Sequence, residues 1–359
     1  MAETAHTEAQ EDKTNPWASR VLYYDVLNIL TCVAVLMLHF NDEAHHFERS
    51  ASWLGALVVE CVFYWAVPIF FMLSGATLLR YRERYGTRTF LSKRFWRTAV
   101  PFVVWSLGAL VWKVSTSQMP APMGPRKVIG LVLNAHVLDV YWFFIPLFAL
   151  YLAFPILSYL ADGRHDRMLW YGVGVAFVCN SVLPCVLPIW GIQYNVELMS
   201  PVFSLFTIYP ILGYLLSKRQ LTRPQRYAVY LAGLFALVLR YGFTVGMSWG
   251  TGKLDQSLWG YTYFPCALLS VAVFVLAKQI RWQAVFRTPR SMRALSKLAG
   301  CSFGVYLEHM ICLWYLMQAT GLAETRLLWR VVMPLVAYVI CVCLTLVLKR
   351  IPVLRRAVP

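Results

Sequence analysis

The sequence has little charge and few acidic residues. Asp, Glu, Lys and Arg together make up 14% of its 359 residues, whereas 59% of the residues are hydrophobic. An ordinary soluble domain is about 25% charged and about 45 to 50% apolar. This shortage of charge excludes a water-soluble enzyme and indicates a protein that lies in a membrane.

Several common signatures are also missing. The nine cysteines are odd in number and show no C-x-x-C spacing, so we expect them to serve packing and predict no disulfide or zinc site. Residues 1–19 carry four acidic residues and no apolar core, which predicts a disordered cytoplasmic tail and no signal peptide. Without a composition shift or a fixed repeat, residues 20–350 are predicted to form one transmembrane domain and residues 351–359 a basic cytoplasmic tail.

Long apolar segments are what the sequence has instead. A run of 18 or more nearly uncharged residues can cross about 30 Å of hydrocarbon as a helix. Because backbone groups in lipid must be hydrogen-bonded internally, we predict an all-α polytopic integral membrane protein with about ten transmembrane helices. The predicted spans cover residues 21 to 40, 53 to 79, 98 to 115, 141 to 161, 169 to 189, 198 to 216, 227 to 247, 259 to 277, 301 to 320 and 329 to 348.

The basic residues lie in alternate loops. Of the 33 Lys and Arg residues, 25 fall in the terminal segments and in every second loop between predicted spans. This positive-inside pattern predicts that both termini are cytoplasmic. The net charge of +16 therefore reports topology and contact with anionic membrane lipids, and it does not indicate a nucleic-acid partner.

Ionisable side chains inside the predicted spans are few. Burying one in a membrane costs several kcal/mol by most estimates, so each is a candidate functional residue. For the carboxylates and the arginine, an internal ion pair that joins Arg240 to Glu60 or to Glu308 is the alternative to a chemical role. The ionisable residues inside the predicted spans are Asp25, His39, Glu60, Arg240, Glu308 and His309.

His39 lies near the outer end of the first predicted span. Asp42 and Glu43 follow three and four positions later, and a carboxylate there would fix the imidazole tautomer and raise its basicity, as a general base requires. An interfacial histidine in a polar loop is the alternative. A metal site with the neighbouring histidines is a further reading, but its spacing matches no zinc signature. Asp25 lies 14 residues before His39, on a similar face of the same predicted helix and at its cytoplasmic end.

Two short segments with polar or small residues lie before or within apolar spans, on the predicted cytoplasmic side. Lys93, Arg94 and Arg97 come just before the third span, and Arg94 and Arg97 share a helical face, which suits bidentate phosphate contacts. A topology signal or a lipid-headgroup contact is the alternative. Ser74 and Gly75 end the second span, where they permit either close helix packing or a polar lining.

Together these segments resemble the membrane-bound acyltransferase 3 family, which is known for O-acetylation of bacterial surface polysaccharides. The resemblance covers most of the chain, with the segments in family order. It rests on Tyr24-Asp25-Val26-Leu27 followed by His39, on Pro68 to Gly75, on Arg94-Phe95-Trp96-Arg97, on Tyr141-Trp142-Phe143-Phe144 leading into Pro155, and on Ser302 to His309.

The resemblance implies a cytoplasmic donor, acetyl-CoA or another short acyl-CoA, and an extracytoplasmic carbohydrate or lipid-linked sugar as acceptor, in the bacterial cytoplasmic membrane. It implies a catalytic His39, donor phosphates at Arg94 and Arg97, and a role for Tyr306 and His309. One position departs from the family. Where the family has an arginine eleven residues before the histidine, this chain has Asn28, so that cation is missing or is supplied by Arg20 or Arg240.

We therefore expect an acyl-CoA-dependent O-acyltransferase without a metal, whose candidate site residues fall into three groups. The formation of a homo-oligomer stays open. Whether the histidine acts as a general base or is itself acylated also stays open. The alternative is a proton-coupled transporter or flippase of a cell-envelope precursor, since intramembrane carboxylates and histidines also serve proton relays. The expected groups are catalytic Asp25, His39, Tyr306 and His309; donor-binding Ser74, Gly75, Lys93, Arg94 and Arg97; and substrate- or pore-lining Asp42, Glu43, Glu60, Trp142, Arg240 and Glu308.

Overall fold

A computed structural model describes residues 20–121, 124–203 and 205–358. The predicted N-terminal tail, residues 1–19, lies outside the described residues. The regular structure of the described residues is entirely helical, in agreement with the all-α prediction. The helices are α1 (Leu22–His39), α2 (Ala51–Phe63), α3 (Ala66–Leu78), α4 (Thr87–Arg94), α5 (Val100–Ser115), α6 (Pro125–Leu133), α7 (Phe144–Leu160), α8 (Asp166–Ala176), α9 (Leu183–Ile189), α10 (Ile208–Lys218), α11 (Arg223–Thr251), α12 (Phe264–Gln279), α13 (Trp282–Val285), α14 (Pro289–Thr320), α15 (Leu327–Val331) and α16 (Met333–Arg350).

Seven of the ten predicted spans coincide with helical segments long and apolar enough to cross a membrane. Two of these segments combine consecutive helices, with α2 and α3 forming one and α4 and α5 forming another through a π-helical turn at Phe95–Ala99. The seven segments are Leu22–His39, Ala51–Glu83, Thr87–Ser115, Asp139–Leu160, Asp166–Ile189, Arg223–Thr251 and Leu327–Arg350.

The other three predicted spans are different. Residues 259 to 277 fall on α12, which has 16 residues, and residues 301 to 320 fall on the C-terminal part of α14, which has 32 residues. Residues 198 to 216 do not form one long helix. The α-helix in this segment, α10, has only 11 residues, and nine of them are buried. The apolar character of that segment therefore comes from burial inside the protein, as is typical of a short core helix.

The two longest helices have clear sequence signals at both ends. Thr222 and Gln225 form a capping box at the start of α11, and Thr288 caps α14. Both helices have proline in the first turn, where the missing N–H costs nothing. Each ends at a glycine with left-handed backbone, Gly252 (φ 70°) and Gly321 (φ 58°), which suits a residue without a Cβ atom.

The core centres on α3 and α10, whose backbones touch. A Cβ atom added to Gly75 would lie 1.8 Å from the Pro210 carbonyl oxygen, and one added to Gly213 would lie 1.9 Å from the Met72 carbonyl oxygen. Only glycine permits helices to approach this closely. Of the two roles that the sequence leaves open for the Ser74–Gly75 pair, close packing thus applies to Gly75.

Contacts join the basic segments at one end of the molecule, which we call the basic end. Arg97 and Arg355 line one cavity, and the Lys349 ammonium donates to the Gly300 carbonyl at 2.8 Å. The Lys278 ammonium donates to carbonyls at the end of α10. The segments that the charge pattern assigns to a single side of the membrane thus lie together.

The opposite end is formed by the loops after α1, α11 and α14. There Arg330 donates to the Ser52 carbonyl at 2.8 Å and lies 3.4 Å from a Glu43 carboxylate oxygen. Arg49 donates to the Trp249 carbonyl at 2.7 Å. These contacts tie the loop that follows His39 to α2, α11 and α15.

Candidate active site

A cavity of about 350 Å³ opens at the basic end and runs between α1, α3, α7, α14 and the π-helical turn. Its walls carry both the cations that precede the third span and the tyrosine of the Ser302 to His309 segment. Residues from five separate parts of the chain meet there. The lining includes Asn28, Phe70, Ser74, Arg94, Arg97, Thr98, Phe143, Tyr151, Ser302 and Tyr306.

Arg94 and Arg97 face this cavity because α4 gives way to the π-helical turn between them. Such a turn contains an extra residue and is frequent at functional sites. The Arg94 guanidinium lies over the rings of Phe90 and Tyr151, 5.8 and 5.7 Å from their centroids, and its buried Nε atom has no hydrogen-bond partner in the described residues. Among the described residues, neither arginine forms an ion pair with a carboxylate. Both are therefore available to an anionic ligand.

The remaining predicted donor-binding residues divide in two. Ser74 lines the cavity, and its hydroxyl donates to the Phe70 carbonyl at 3.0 Å. Gly75 packs against α10, as described above. The Lys93 ammonium lies 3.8 Å from the centroid of the Tyr85 ring, and Lys93 is not among the described residues that line the cavity.

Asn28 is one of the residues that line the cavity. Its side-chain amide donates to the Ala299 carbonyl at 3.1 Å, which ties α1 to α14. The two cations that the sequence offers as substitutes each lie beside a carboxylate, Arg20 beside Asp25 and Arg240 beside Glu60, and neither is among the described residues that line the cavity. Arg94 and Arg97 are the cations that the described cavity contains.

Tyr306 closes the inner end of the cavity. Its hydroxyl donates to the Val140 carbonyl, and its ring packs against Phe143 and Phe144, with centroids 5.5 and 5.7 Å away. The single donor proton of Tyr306 is therefore already used by the backbone. In this arrangement the side chain acts as a wall.

His309 and His39 lie on the other side of Tyr306. The His309 ring is 5.5 Å from the Tyr306 ring and 5.2 Å from the His39 ring, centroid to centroid. His309 is fully buried, and its Nδ1 atom is 2.7 Å from the Tyr306 carbonyl oxygen. Because a carbonyl oxygen only accepts, Nδ1 carries a proton, and in the neutral form of the ring the lone pair is then on Nε2. That Nε2 has no hydrogen-bond partner in the described part of the chain.

Asp25 is distant from this histidine pair. It lies in the first turn of α1, whereas His39 is the last residue of that helix. Its carboxylate accepts from Arg20, with an oxygen 2.9 Å from the Arg20 Nη2 atom. Asp25 therefore belongs to the basic end, and a direct part in chemistry at His39 would require it to act over about 20 Å.

The carboxylates that follow His39 have other partners. Asp42 is 2.9 Å from the His46 Nε2 atom, and Glu43 lies beside Arg330. Burial, reinforced by the charge of Asp42, raises the pKa of Glu324 in the neighbouring loop. Within the described residues no cluster of three or more His, Cys, Asp or Glu side chains has the geometry of a metal site. The tautomer of His39 is thus not fixed by the carboxylates that the sequence suggests.

Arg240 and Glu60 form a buried pair, each side chain 3% exposed, with 3.8 Å between Arg240 Nη2 and Glu60 Oε1. The Arg240 guanidinium also lies 3.5 Å from the centroid of the Tyr64 ring. Of the two partners that the sequence allows for Arg240, the structure selects Glu60. At 3.8 Å the contact is longer than a hydrogen bond, and none of the three guanidinium nitrogens has a hydrogen-bond partner in the described residues.

An aromatic stack connects this pair with Trp142. The Tyr64 and Tyr261 rings are parallel, with centroids 4.2 Å apart and an interplanar angle of 2°. Trp142 stacks on Tyr261 at 5.5 Å. The stack therefore leads from the buried Arg240–Glu60 pair to the segment that begins α7.

Glu308 faces away from the histidine pair, although it adjoins His309 in sequence. It accepts from the Thr345 hydroxyl at 3.3 Å and lines a separate, almost wholly apolar cavity of about 370 Å³ with Trp105, Cys312 and Ile340. Consecutive helix residues point about 100° apart, so neighbours in sequence face different surroundings.

Sequence reasoning missed the residues that complete the walls. Tyr151 and Thr98 line the cavity, and Arg330 holds Glu43. Each looks unremarkable in the sequence, since an aromatic residue in an apolar helix or an arginine in a loop carries no motif. The one sequence signal for the contact between Arg330 and Glu43 was that Arg330 lies within a few residues of a predicted outer boundary.

Comparison with known proteins identifies the family of this chain. No curated protein and no solved structure matches the chain. The model of the acyltransferase 3 family, described as an acyltransferase domain, matches residues 21–349. That range covers all the helices that surround the cavity and the histidine pair. The chain belongs to the acyltransferase 3 family of membrane acyltransferases.

Proposed function

We propose that this protein is a transmembrane O-acyltransferase of the bacterial cytoplasmic membrane. It moves an acyl group, acetyl in the first instance, from cytoplasmic acyl-CoA to a hydroxyl of an extracytoplasmic glycan or glycolipid. The observation that carries the proposal is the cavity that starts at Arg94 and Arg97 and ends at Tyr306, with the His309 and His39 rings in contact behind it.

The charges of the donor stay at the basic end. Its diphosphate binds Arg94 and Arg97, which the described residues leave without a carboxylate partner, and charge-assisted contacts of this kind are strong. The pantetheine arm is uncharged, so it can enter the low-dielectric cavity at small cost. Ser74 and Asn28 on the wall supply polar groups for the amides of the arm.

The chemistry takes place at the histidine pair. His39 removes the proton of the acceptor hydroxyl, the oxygen attacks the thioester carbonyl carbon, a C–O bond forms and the C–S bond breaks. The leaving thiolate then takes up the proton from the His39 imidazolium. The unpartnered Nε2 of His309 accepts a hydrogen bond that orients the acceptor or His39. Since Tyr306 closes the cavity, its ring has to move aside when the thioester reaches the histidines.

The acceptor comes from the opposite end. The Trp142, Tyr261 and Tyr64 stack offers the edges of its rings, and the buried Arg240–Glu60 pair beside it offers polar groups. Ligand sites commonly combine aromatic walls with a few polar groups that fix orientation. This combination suits a sugar ring with a free hydroxyl.

Release of free thiol tests the proposal. Purified protein in detergent, given acetyl-CoA and a mixture of sugar acceptors, should release CoA thiol. We expect His39→Ala to lower the rate at least about 100-fold, as for loss of a general base. Arg94→Ala should raise KM for acetyl-CoA much more than it lowers kcat, because it removes a contact that is present before and during the reaction.

A matched control is His165→Ala, since His165 is an exposed histidine immediately before α8, with its Nδ1 atom 3.0 Å from an Asp162 carboxylate oxygen. This variant should retain the wild-type rate. If wild type, His39→Ala and Arg94→Ala all behave alike while a solute crosses protein-containing liposomes, the transporter alternative replaces the acyltransferase.

A further inference from the structure

A second cavity, of about 610 Å³, adjoins the first at the basic end. It lies between the π-helical turn and the C-terminal segment, and Arg97 lines both cavities. A second link is the Lys349 ammonium, which lines this cavity and donates at 2.8 Å to the carbonyl of Gly300, a residue of the first cavity. The lining consists of Trp96, Arg97, Lys349, Arg355, Arg356 and Val358.

The C-terminal segment is held in place at this cavity. The Trp105 indole N–H donates to the Ala357 carbonyl at 3.0 Å, and Val358 is 1% exposed. A 3₁₀ turn at Leu354–Arg356 precedes this anchor. Arg355 and Arg356 are therefore positioned beside Arg97, and the predicted basic tail forms a wall of the cavity.

The described walls of this cavity are rich in cations. Among the six described residues that line it, four are cations and none is a carboxylate. In the described part of the chain, Arg97, Arg355 and Arg356 form no ion pair. Like charges held close together repel one another, so such a site favours a ligand with several negative charges. The exposed Trp96 ring adds an apolar face next to these cations.

We propose that the second cavity binds the nucleotide end of the acyl-CoA donor and that Arg355 and Arg356 hold its ribose 3′-phosphate. The proposal rests on the proposed function. CoA carries a diphosphate and a separate ribose monophosphate, which matches two adjoining groups of cations that share Arg97. The adenine ring lies on Trp96, and the pantetheine arm passes from Arg97 into the first cavity. A phospholipid headgroup with one phosphate has no use for both groups of cations at once.

Two ligands and two variants test this assignment. The ligands are CoA and dephospho-CoA, which differ only in the 3′-phosphate, and their dissociation constants are measured by calorimetry in detergent. Wild type should bind CoA about tenfold or more tightly than dephospho-CoA, since charge-assisted contacts are lost with the phosphate. In Arg355→Gln/Arg356→Gln that preference should disappear, with dephospho-CoA affinity changed by less than about threefold.

The matched control is Arg164→Gln/Arg167→Gln, which removes the same charge from exposed positions just before α8 and in its first turn, outside the described lining of both cavities. It should keep the wild-type preference for CoA. If wild type binds both ligands equally, the proposal is overturned without any variant. It is also overturned if Arg355→Gln/Arg356→Gln keeps the preference, or if that variant loses only its affinity for phosphatidylglycerol vesicles, which would assign the cations to lipid.

Failure of the proposed function gives a different result. A wild-type protein that binds neither CoA nor dephospho-CoA overturns both proposals. Binding of both ligands that depends on Arg94 but not on Arg355 and Arg356 leaves the proposed function standing and overturns the second cavity as the 3′-phosphate site.

Discussion

Arg240 and Glu60 show what a buried charge demands of its surroundings. Both side chains are 3% exposed, and the Arg240 guanidinium is further stabilised by the Tyr64 and Trp259 rings, whose centroids lie 3.5 and 5.0 Å away. Rings of this kind attract a desolvated cation. Removal of one member of such a pair leaves an uncompensated charge, whereas removal of both leaves none.

Arg240→Met should therefore lower the free energy of unfolding by about 3 to 5 kcal/mol. Arg240→Met/Glu60→Gln should recover most of this loss, because the remaining amide needs no counter-charge. Thermal unfolding in detergent, followed by tryptophan fluorescence, compares wild type, both single variants and the double variant. Additive effects would mean that the two side chains do not interact.

The histidine pair marks the limit of sequence reasoning at this scale. Each histidine was recognisable as an ionisable group in an apolar span, and the family resemblance gave both a role. Their contact was not predictable, because 270 positions separate His39 from His309. Likewise the nearby carboxylates Asp42 and Glu43 looked like partners of His39, but the chain turns after α1 and directs them to His46 and Arg330.

At the scale of elements, the contact between α3 and α10 determines the shape of the cavity. Gly75 touches the backbone of Pro210, and the preceding residue, Ser74, lines the cavity. Any side chain at Gly75 would have to push α10 away, and backbone atoms cannot move aside as a flexible side chain can. The position of the Ser74 wall therefore depends on a residue without a side chain.

Gly75→Ala should destabilise the protein by at least about 1 to 3 kcal/mol, the cost of overpacking a core, and lower the affinity for CoA. Gly108→Ala is the matched control, since Gly108 lies within α5 and an added Cβ would have, beyond its own helix backbone and chain neighbours, no described atom within 4 Å. It should be neutral or slightly stabilising. The melting temperatures of both variants in detergent provide the comparison, and equal values would contradict the close approach.

The predicted membrane spans were accurate where a long apolar run of the sequence forms a long helix. Seven predicted spans coincide with segments able to cross a membrane. Helices α5, α7 and α11 expose apolar side chains such as Val111, Leu152 and Leu231 outward. The prediction was inaccurate at residues 198 to 216, because burial in protein selects the same residue types as burial in lipid. Composition alone does not distinguish the two.

At the scale of the whole molecule, the cavities create a polar route into an apolar protein. The larger one gathers the cations of the C-terminal segment, and the narrower one leads from Arg97 to Tyr306. The charge pattern of the sequence predicted that these basic segments share one side, and their contacts place them together. The route itself was not predictable, since it exists only through the packing of five distant segments.

The most direct measurement is a structure of the protein with a ketone analogue of acetyl-CoA, in which a methylene group is inserted between the sulphur and the carbonyl carbon so that the thioester bond is absent. We expect the diphosphate in hydrogen-bond contact with Arg94 and Arg97, and the ketone carbon beside His39 and His309 with the Tyr306 ring displaced. An analogue bound at the opposite end, or one whose ketone stays on the arginine side of an unmoved Tyr306, would contradict this expectation.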